Sequence, residues 1–218
     1  MVVDNKLYGW VVEKLNFEPG LDETNITVSI KDEGIVVLGG YVRSYVEKRL
    51  AEKAIERIEN VRGVANEITV DLLASYKRND AEIVKAALHA LEWNLLIPHK
   101  DIKVAVDNGH LTLSGKVSYN YQRDRAQKAV SDLYGVTYVT NNIEIKPEIK
   151  PEDVKNKIIS EFERNARIDA NNVKVEVDGD KVILKGKVKN FDEAREARQA
   201  AWSIPGIASV VDNMTINW

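Results

Sequence analysis

Three times along this chain the apolar positions change period in the same order. Leu7, Val11, Val12 and Leu15 fall at i, i+4, i+5 and i+8, as do Ile83, Ala87, Leu88, Leu91 and Val154, Ile158, Ile159, Phe162. Such spacing predicts an apolar stripe along a helix. Asn79 or Asp80 can cap the second of these helices, and Pro151 suits the first turn of the third. The period then drops to two. Ile26, Val28, Ile30, then Ile102, Val104, Val106, then Val173, Val175, Val177 alternate with polar residues as half-buried strands do. Asp, Asn and Gly at 31–34, 107–110 and 178–181 supply hairpin turns. Strands return through Val36, Leu38, Val42, through Leu111, Leu113, Val117 and through Val182, Leu184, Val188.

An Ala-rich helix follows each hairpin: Leu50, Ala51, Ala54, Ile58, then Ala126, Ala129, Val130, Leu133, then Ala194, Ala197, Ala201, Ile204. A last apolar strand closes each unit at 64–70, 139–145 and 210–216. From Gly40 to Ile68, Gly115 to Ile143 and Gly186 to Met214 the separation is 28 residues each time. Gapless agreement of this kind identifies tandem repeats. The predicted class is α+β: three α-β-β-α-β units at 1–76, 77–148 and 149–218, each a three-stranded mixed sheet with two helices on one face. Gly40, Gly115 and Gly186 are expected on the inward side, where a Cβ would strike a crossing helix. Asn66, Asn141 and Asp212 recur as turn or strand-pairing residues. The junctions at 72–79 and 146–151 are short, and the second, with Pro147 and Pro151, is expected to be extended and stiff.

The string Gly-x-Val beginning at Gly40, Gly115 and Gly186, the Ala-rich helix, and the closing Val-x-Asn-x-Ile resemble the BON domain, named for bacterial osmotic-stress and nodulation proteins. The resemblance covers essentially the whole chain in three copies. It departs at Asn60, where Gly135 and Gly206 stand in the other repeats, and at Asp212 in place of Asn. Asn tolerates the same turn conformation as Gly.

Chemistry finds little to stand on. The chain has no cysteine, so neither disulfides, thiolate metal sites nor a lipidated Cys anchor is expected. His89, His99 and His110 lack ligand spacing and do not recur between repeats, which predicts neither a metal nor a cofactor. Ser29 and Ser114 sit in strands without a nucleophile elbow. The glycines lie in hairpins rather than in a phosphate-cradling loop. A non-enzymatic protein is expected. No apolar run reaches transmembrane length. The N-terminus carries no secretory pattern, so a cytoplasmic location is expected, or a periplasmic one if the chain is a processed form.

Charge is uneven. Residues 1–76 carry 9 basic and 13 acidic groups (net −4), 77–150 are net +2, and 151–218 are net −1. That balance argues against nucleic acid as partner. Lys181, Lys185, Lys187 and Lys189 share one face of a strand, either as a solvated guard against edge pairing or as a patch for anionic headgroups. Proteins of the resembled family associate with phospholipid surfaces, in some through the first helix of one domain. By that resemblance Trp93, Leu95 and Leu96, with Lys185, Lys187 and Lys189, are the lipid-contact candidates. Padding between repeats is the other role open to Trp93, and Trp10, Trp202 and Trp218 are expected to be packing residues. Ile35, Val37 and Tyr41 point away from the expected core, which suits a protein-binding or chaperone-like scaffold. A BON domain also occurs in a potassium-responsive protein, so a cytosolic potassium sensor is a third reading. The residues give it no support. The favoured function is a non-catalytic stress-associated binding protein with a phospholipid surface as ligand.

Overall fold

The computed structural model describes residues 5–31, 34–146, 151–165 and 168–216. Most of the linker expected to be stiff, at 147–150, the tip of the first hairpin at 32–33, and Trp218 lie outside the described residues. Elements follow in the predicted order: α1 (Asn5–Asn16), β1 (Ile26–Lys31), β2 (Ile35–Val42), α2 (Tyr45–Ile55), β3 (Gly63–Asn66) and β4 (Thr69–Val70). Next come α3 (Asp80–Glu92), β5 (Ile102–Asp107), β6 (His110–Val117), α4 (Asn120–Ser131) and β7 (Tyr138–Ile145). The chain ends with α5 (Pro151–Arg164), β8 (Val173–Asp178), β9 (Lys181–Val188), α6 (Phe191–Trp202) and β10 (Ser209–Ile216). Short 3-10 turns precede β1 and β5. The hairpin return is the central strand of every sheet. Two compact units result: residues 1–90 with 104–112 and 128–140, and residues 91–103 with 113–127 and 141–218.

In the first unit β2 pairs antiparallel with β1 and parallel with β3 and β4. The expected single closing strand is broken at Glu67 and Ile68. No residue is inserted there, because Leu38 faces Asn66 and Tyr41 faces Thr69 in the same register. Leu7, Val11 and Leu15 from α1 meet Val36, Leu38 and Val42 from β2 and Ala51 and Ile55 from α2 in one buried cluster. The small Ala51 lets α2 lie close on the sheet. Ile55 takes the buried place expected of Ile58, which is only half-buried.

Helix α2 opens on a Ser44 N-cap: the Glu47 amide donates to Ser44 Oγ (3.2 Å), whose hydroxyl donates to the Glu47 carboxylate (2.7 Å). Asn79, not Asp80, caps α3, exchanging hydrogen bonds with Glu82. Asp80 turns instead to the β5–β6 hairpin and accepts the amides of Asn108 and Gly109 at 2.9 and 3.0 Å. Both of those residues have positive φ, 51° and 77°, as a type I′ turn demands. Tyr45 is buried against Tyr138, ring centroids 5.7 Å apart, and burial pushes its phenol above the ordinary range. Tyr76 stacks on Tyr134 at 4.9 Å. Leu88, expected in the α3 stripe, is exposed. It stands about 140° round the helix from Ile83, at the edge of the stripe.

In the second unit β9 pairs antiparallel with β8 and parallel with β10, with Val173 facing Gly186 as Ile26 faces Gly40. Phe162, Ile158 and Val154 pack with Val182, Leu184, Val188, Ala197 and Ala201. Gly186 has φ 128°, and its equivalents Gly40 and Gly115 have 86° and 138°. A Cβ on any of them would overlap the carbonyl oxygen of the residue just before the unit's first strand: Asn25, Asp101 or Asn172. The obstacle is therefore backbone, not the crossing helix that the pattern suggested. Asn60 adopts φ 68° where Gly135 has 89° and Gly206 87°, so the substitution keeps the turn.

Candidate functional site

The loop after α3 is built from one inward and three outward side chains. Leu91 and Ile97 are buried. Between them, hydrogen bonds close two tight turns, from the Asn94 amide to the Leu91 carbonyl (3.3 Å) and from the Ile97 amide to the Asn94 carbonyl (2.9 Å). The Asn94 side chain also accepts the Leu96 amide at 3.2 Å. With both ends plugged into the core, the intervening side chains are turned to solvent. Trp93 is 76 % exposed, Leu95 98 % and Leu96 49 %. Trp93 thus does not fill a buried space between repeats. A shallow recess of about 320 Å³ beside the loop is lined by Leu95, Ile97, Pro98, His99, Lys100 and Asp101, among others.

The lysine row fares differently. Lys185 meets the Glu176 carboxylate across the strand pair at 2.6 Å, and Lys189 lies 3.7 Å from Asp169. The Asp169 amide is in turn fixed by the buried Glu193 carboxylate, which also accepts the Lys189 amide, both at 2.7 Å. Two of the three candidate lysines are therefore neutralised locally, and Lys187 is an exposed cation on the same strand face. The apolar trio and the lysines lie on separate elements: the trio on a single loop, Lys185 and Lys187 on β9 with Lys189 just past its end.

Sequence reasoning missed a recurring clamp. The Asn66 side-chain amide donates to the Lys48 carbonyl and the Glu52 carboxylate, both at 3.0 Å, while its oxygen accepts the Ile68 amide. Asn141 repeats this with the Arg123 carbonyl, Gln127 and the Ile143 amide. In the third repeat Asp212 accepts the Met214 amide and bonds Arg198. These residues tie the closing strand to the preceding helix, beyond strand pairing. A signal was present: positions 52, 127 and 198 share one place in the repeat, and they read Glu–Asn, Gln–Asn and Arg–Asp with their partners.

Among the described residues no His, Asp or Glu cluster could hold a metal ion, and no helix is long and apolar enough to cross a membrane. A family model described as BON domain matches residues 4–71, 79–147 and 152–217. Osmotically-inducible protein Y of Escherichia coli (strain K12) is 29% identical over 137 residues, 58% of this chain and 67% of that protein. Among solved structures, the C-terminal domain of CdsD, a type III secretion structural protein of Chlamydia trachomatis, matches at 16% identity over 97% of this chain and 98% of its own, with a TM-score of 0.29. The periplasmic domain of PrgH from S. typhimurium matches at 11% identity over 91% and 97%, with a TM-score of 0.23. Superpositions that poor bear on neither fold nor function.

Proposed function

The chain belongs to the BON-domain family, and on that premise we propose that it is a non-catalytic, stress-associated binding protein whose ligand is an anionic phospholipid surface. The observation that carries the reading is the exposure of Trp93, Leu95 and Leu96 on one rigidly anchored loop. Transferring ~150 Å² of indole into a bilayer interface contributes at most about 4 kcal/mol, and a leucine adds about 1.5–3 kcal/mol. Charge contributes less: Lys185 and Lys189 are paired, and the whole chain is net −3. Insertion of apolar side chains therefore dominates, with Lys187 as a minor electrostatic aid. The stress association is supported by the likeness to osmotically-inducible protein Y.

Flotation with phosphatidylglycerol and phosphatidylcholine vesicles across a salt series tests the reading. Binding to the anionic vesicles is expected, with only a mild decline as salt rises. The double variant Trp93→Ala, Leu95→Ala is expected to abolish it, and unchanged binding would remove the loop from the account. Failure to float at any salt would move the reading to a protein partner. That second reading rests on Ile35 and Tyr41, exposed on the outer face of the first sheet. Suppression of client aggregation that Tyr41→Lys removes would support it.

A further inference from the structure

The first repeat carries a groove that the lipid reading does not use. The end of α1 and the turn after α2 form an open recess of about 410 Å³ lined by Trp10, Glu13, Lys14, Phe17, Ile58 and Glu59. Phe17 is 74 % exposed at its rim. Three walls are apolar and two are anionic. Lys14 is held by Glu18 at 2.9 Å, whereas among the described residues neither Glu13 nor Glu59 forms an ion pair. The Trp10 ring already receives a cation, since the Lys6 ammonium sits 4.6 Å from its centroid. The grouping is particular to this repeat. Trp10, Glu13 and Glu59 are replaced by Ala86, His89 and Tyr134 in the second repeat and by Lys157, Ser160 and Pro205 in the third.

Aromatic faces beside carboxylates suit a positive charge whose outer surface is apolar. A small metal ion would have to exchange its water for ring faces and two side-chain carboxylates that form no cage. A primary ammonium holds its own hydration strongly. An alkylated ammonium spreads its charge over methyl groups, sheds water readily, and attracts ring quadrupole and carboxylate together. We infer that this groove binds a quaternary ammonium group, seated against Trp10 and Phe17 with Glu13 and Glu59 facing its charge. The group can belong to a free organic cation or to a choline headgroup, and the chemistry recognised is the same.

Nuclear magnetic resonance of the full chain tests this by following the Trp10 indole N–H, assigned with Trp10→Phe, during titration with tetramethylammonium chloride. Sodium chloride at equal ionic strength and neutral tert-butanol are the controls. A saturable shift confined to tetramethylammonium is expected, weakened about threefold by Phe17→Ala and further by Glu13→Gln with Glu59→Gln. These three side chains are exposed, so their substitution leaves the core intact. Trp93→Ala is expected to change nothing, which separates this site from the lipid loop. Equal shifts with sodium chloride or tert-butanol, or an undiminished response in Phe17→Ala, would overturn the inference. Choline and phosphatidylcholine vesicles then distinguish the sources: displacement from vesicles by choline assigns the headgroup, and choline binding without vesicle binding assigns the free cation.

Discussion

The first and third repeats present the same sheet twice, with opposite outer faces. Their inner faces match residue for residue: Val36, Leu38 and Val42 in one, Val182, Leu184 and Val188 in the other, all buried. Their registers match as well. On the outer side Ile35 gives way to Lys181, Gly39 to Lys185 and Tyr41 to Lys187, with only Val37 and Ile183 remaining apolar. The period-2 pleat places consecutive residues in different environments, so the inner set can specify the fold while the outer set diverges. Whatever distinguishes the repeats in function is therefore expected on outer faces and helix-end loops, not in the cores.

The shared frame should break equally in both. Gly40→Ala and Gly186→Ala each force a Cβ onto a backbone carbonyl at a positive φ. Neither strain is relieved by a side-chain movement, so each is expected to cost about 3 kcal/mol or more in urea unfolding. Gly9→Ala provides the opposite sign. It lies in α1 with nothing within 4 Å of a new Cβ, and it is expected to stabilise by about 0.5–1 kcal/mol. A mild effect at Gly40 with a severe one at Gly186 would show that the two frames are not equivalent.

These glycines also show what the sequence could and could not disclose. Their recurrence at a constant distance from Ile68, Ile143 and Met214 marks them as structural, and two periodicities place the helices and strands apart from the break at Glu67 and Ile68 in the first closing strand. What each glycine touches was not legible. The carbonyls of Asn25, Asp101 and Asn172 lie 14 or 15 residues upstream, in turns with no apolar pattern. Leu88 was misplaced because a helical stripe has an edge, and only packing decides which side of it a residue takes. The outward Trp93 was a candidate by resemblance, but its exposure follows from Leu91 and Ile97 plugging the core on either side of it. That is a property of the loop's closure rather than of hydropathy. The groove at Trp10 and Phe17 had no sequence signal at all, since its walls come from α1 with the residue after it and from the turn after α2, about 40 residues further along the chain.

The clamps sharpen the comparison at a smaller scale. Asn66→Ala removes two donated hydrogen bonds and leaves the Ile68 amide without its side-chain acceptor. A cost of about 1–3 kcal/mol is expected. In the third repeat the partnership is ionic. Asp212→Asn alone is expected to cost less, about 1 kcal/mol, because the pair with Arg198 is partly exposed. Adding Arg198→Gln recreates the pairing of the second repeat and is expected to recover most of the loss. A double-mutant cycle measures this directly. Purely additive losses would mean that residues 198 and 212 act independently.

The outer faces carry the smallest expected effect on stability and the largest on surface chemistry. Replacing Ile35 and Tyr41 by lysine gives the first sheet the corresponding residues of the third, and both positions are exposed. Each substitution is expected to change folding free energy by no more than about 0.5 kcal/mol. The pleat keeps the new ammonium groups in water, and β2 already pairs on both sides. Binding of an apolar dye should fall sharply at the same time, because the strip formed by Ile35, Val37 and Tyr41 is interrupted twice. The reciprocal change, Lys181→Ile with Lys187→Tyr, should raise dye binding and favour association, because it removes two charged guards and leaves Lys185, already paired with Glu176, on that face. If the first exchange instead destabilised the protein by several kcal/mol, Ile35 and Tyr41 would be structural in the way Val36 and Val42 are. The outer face of the first repeat would then belong to the fold rather than to a partner.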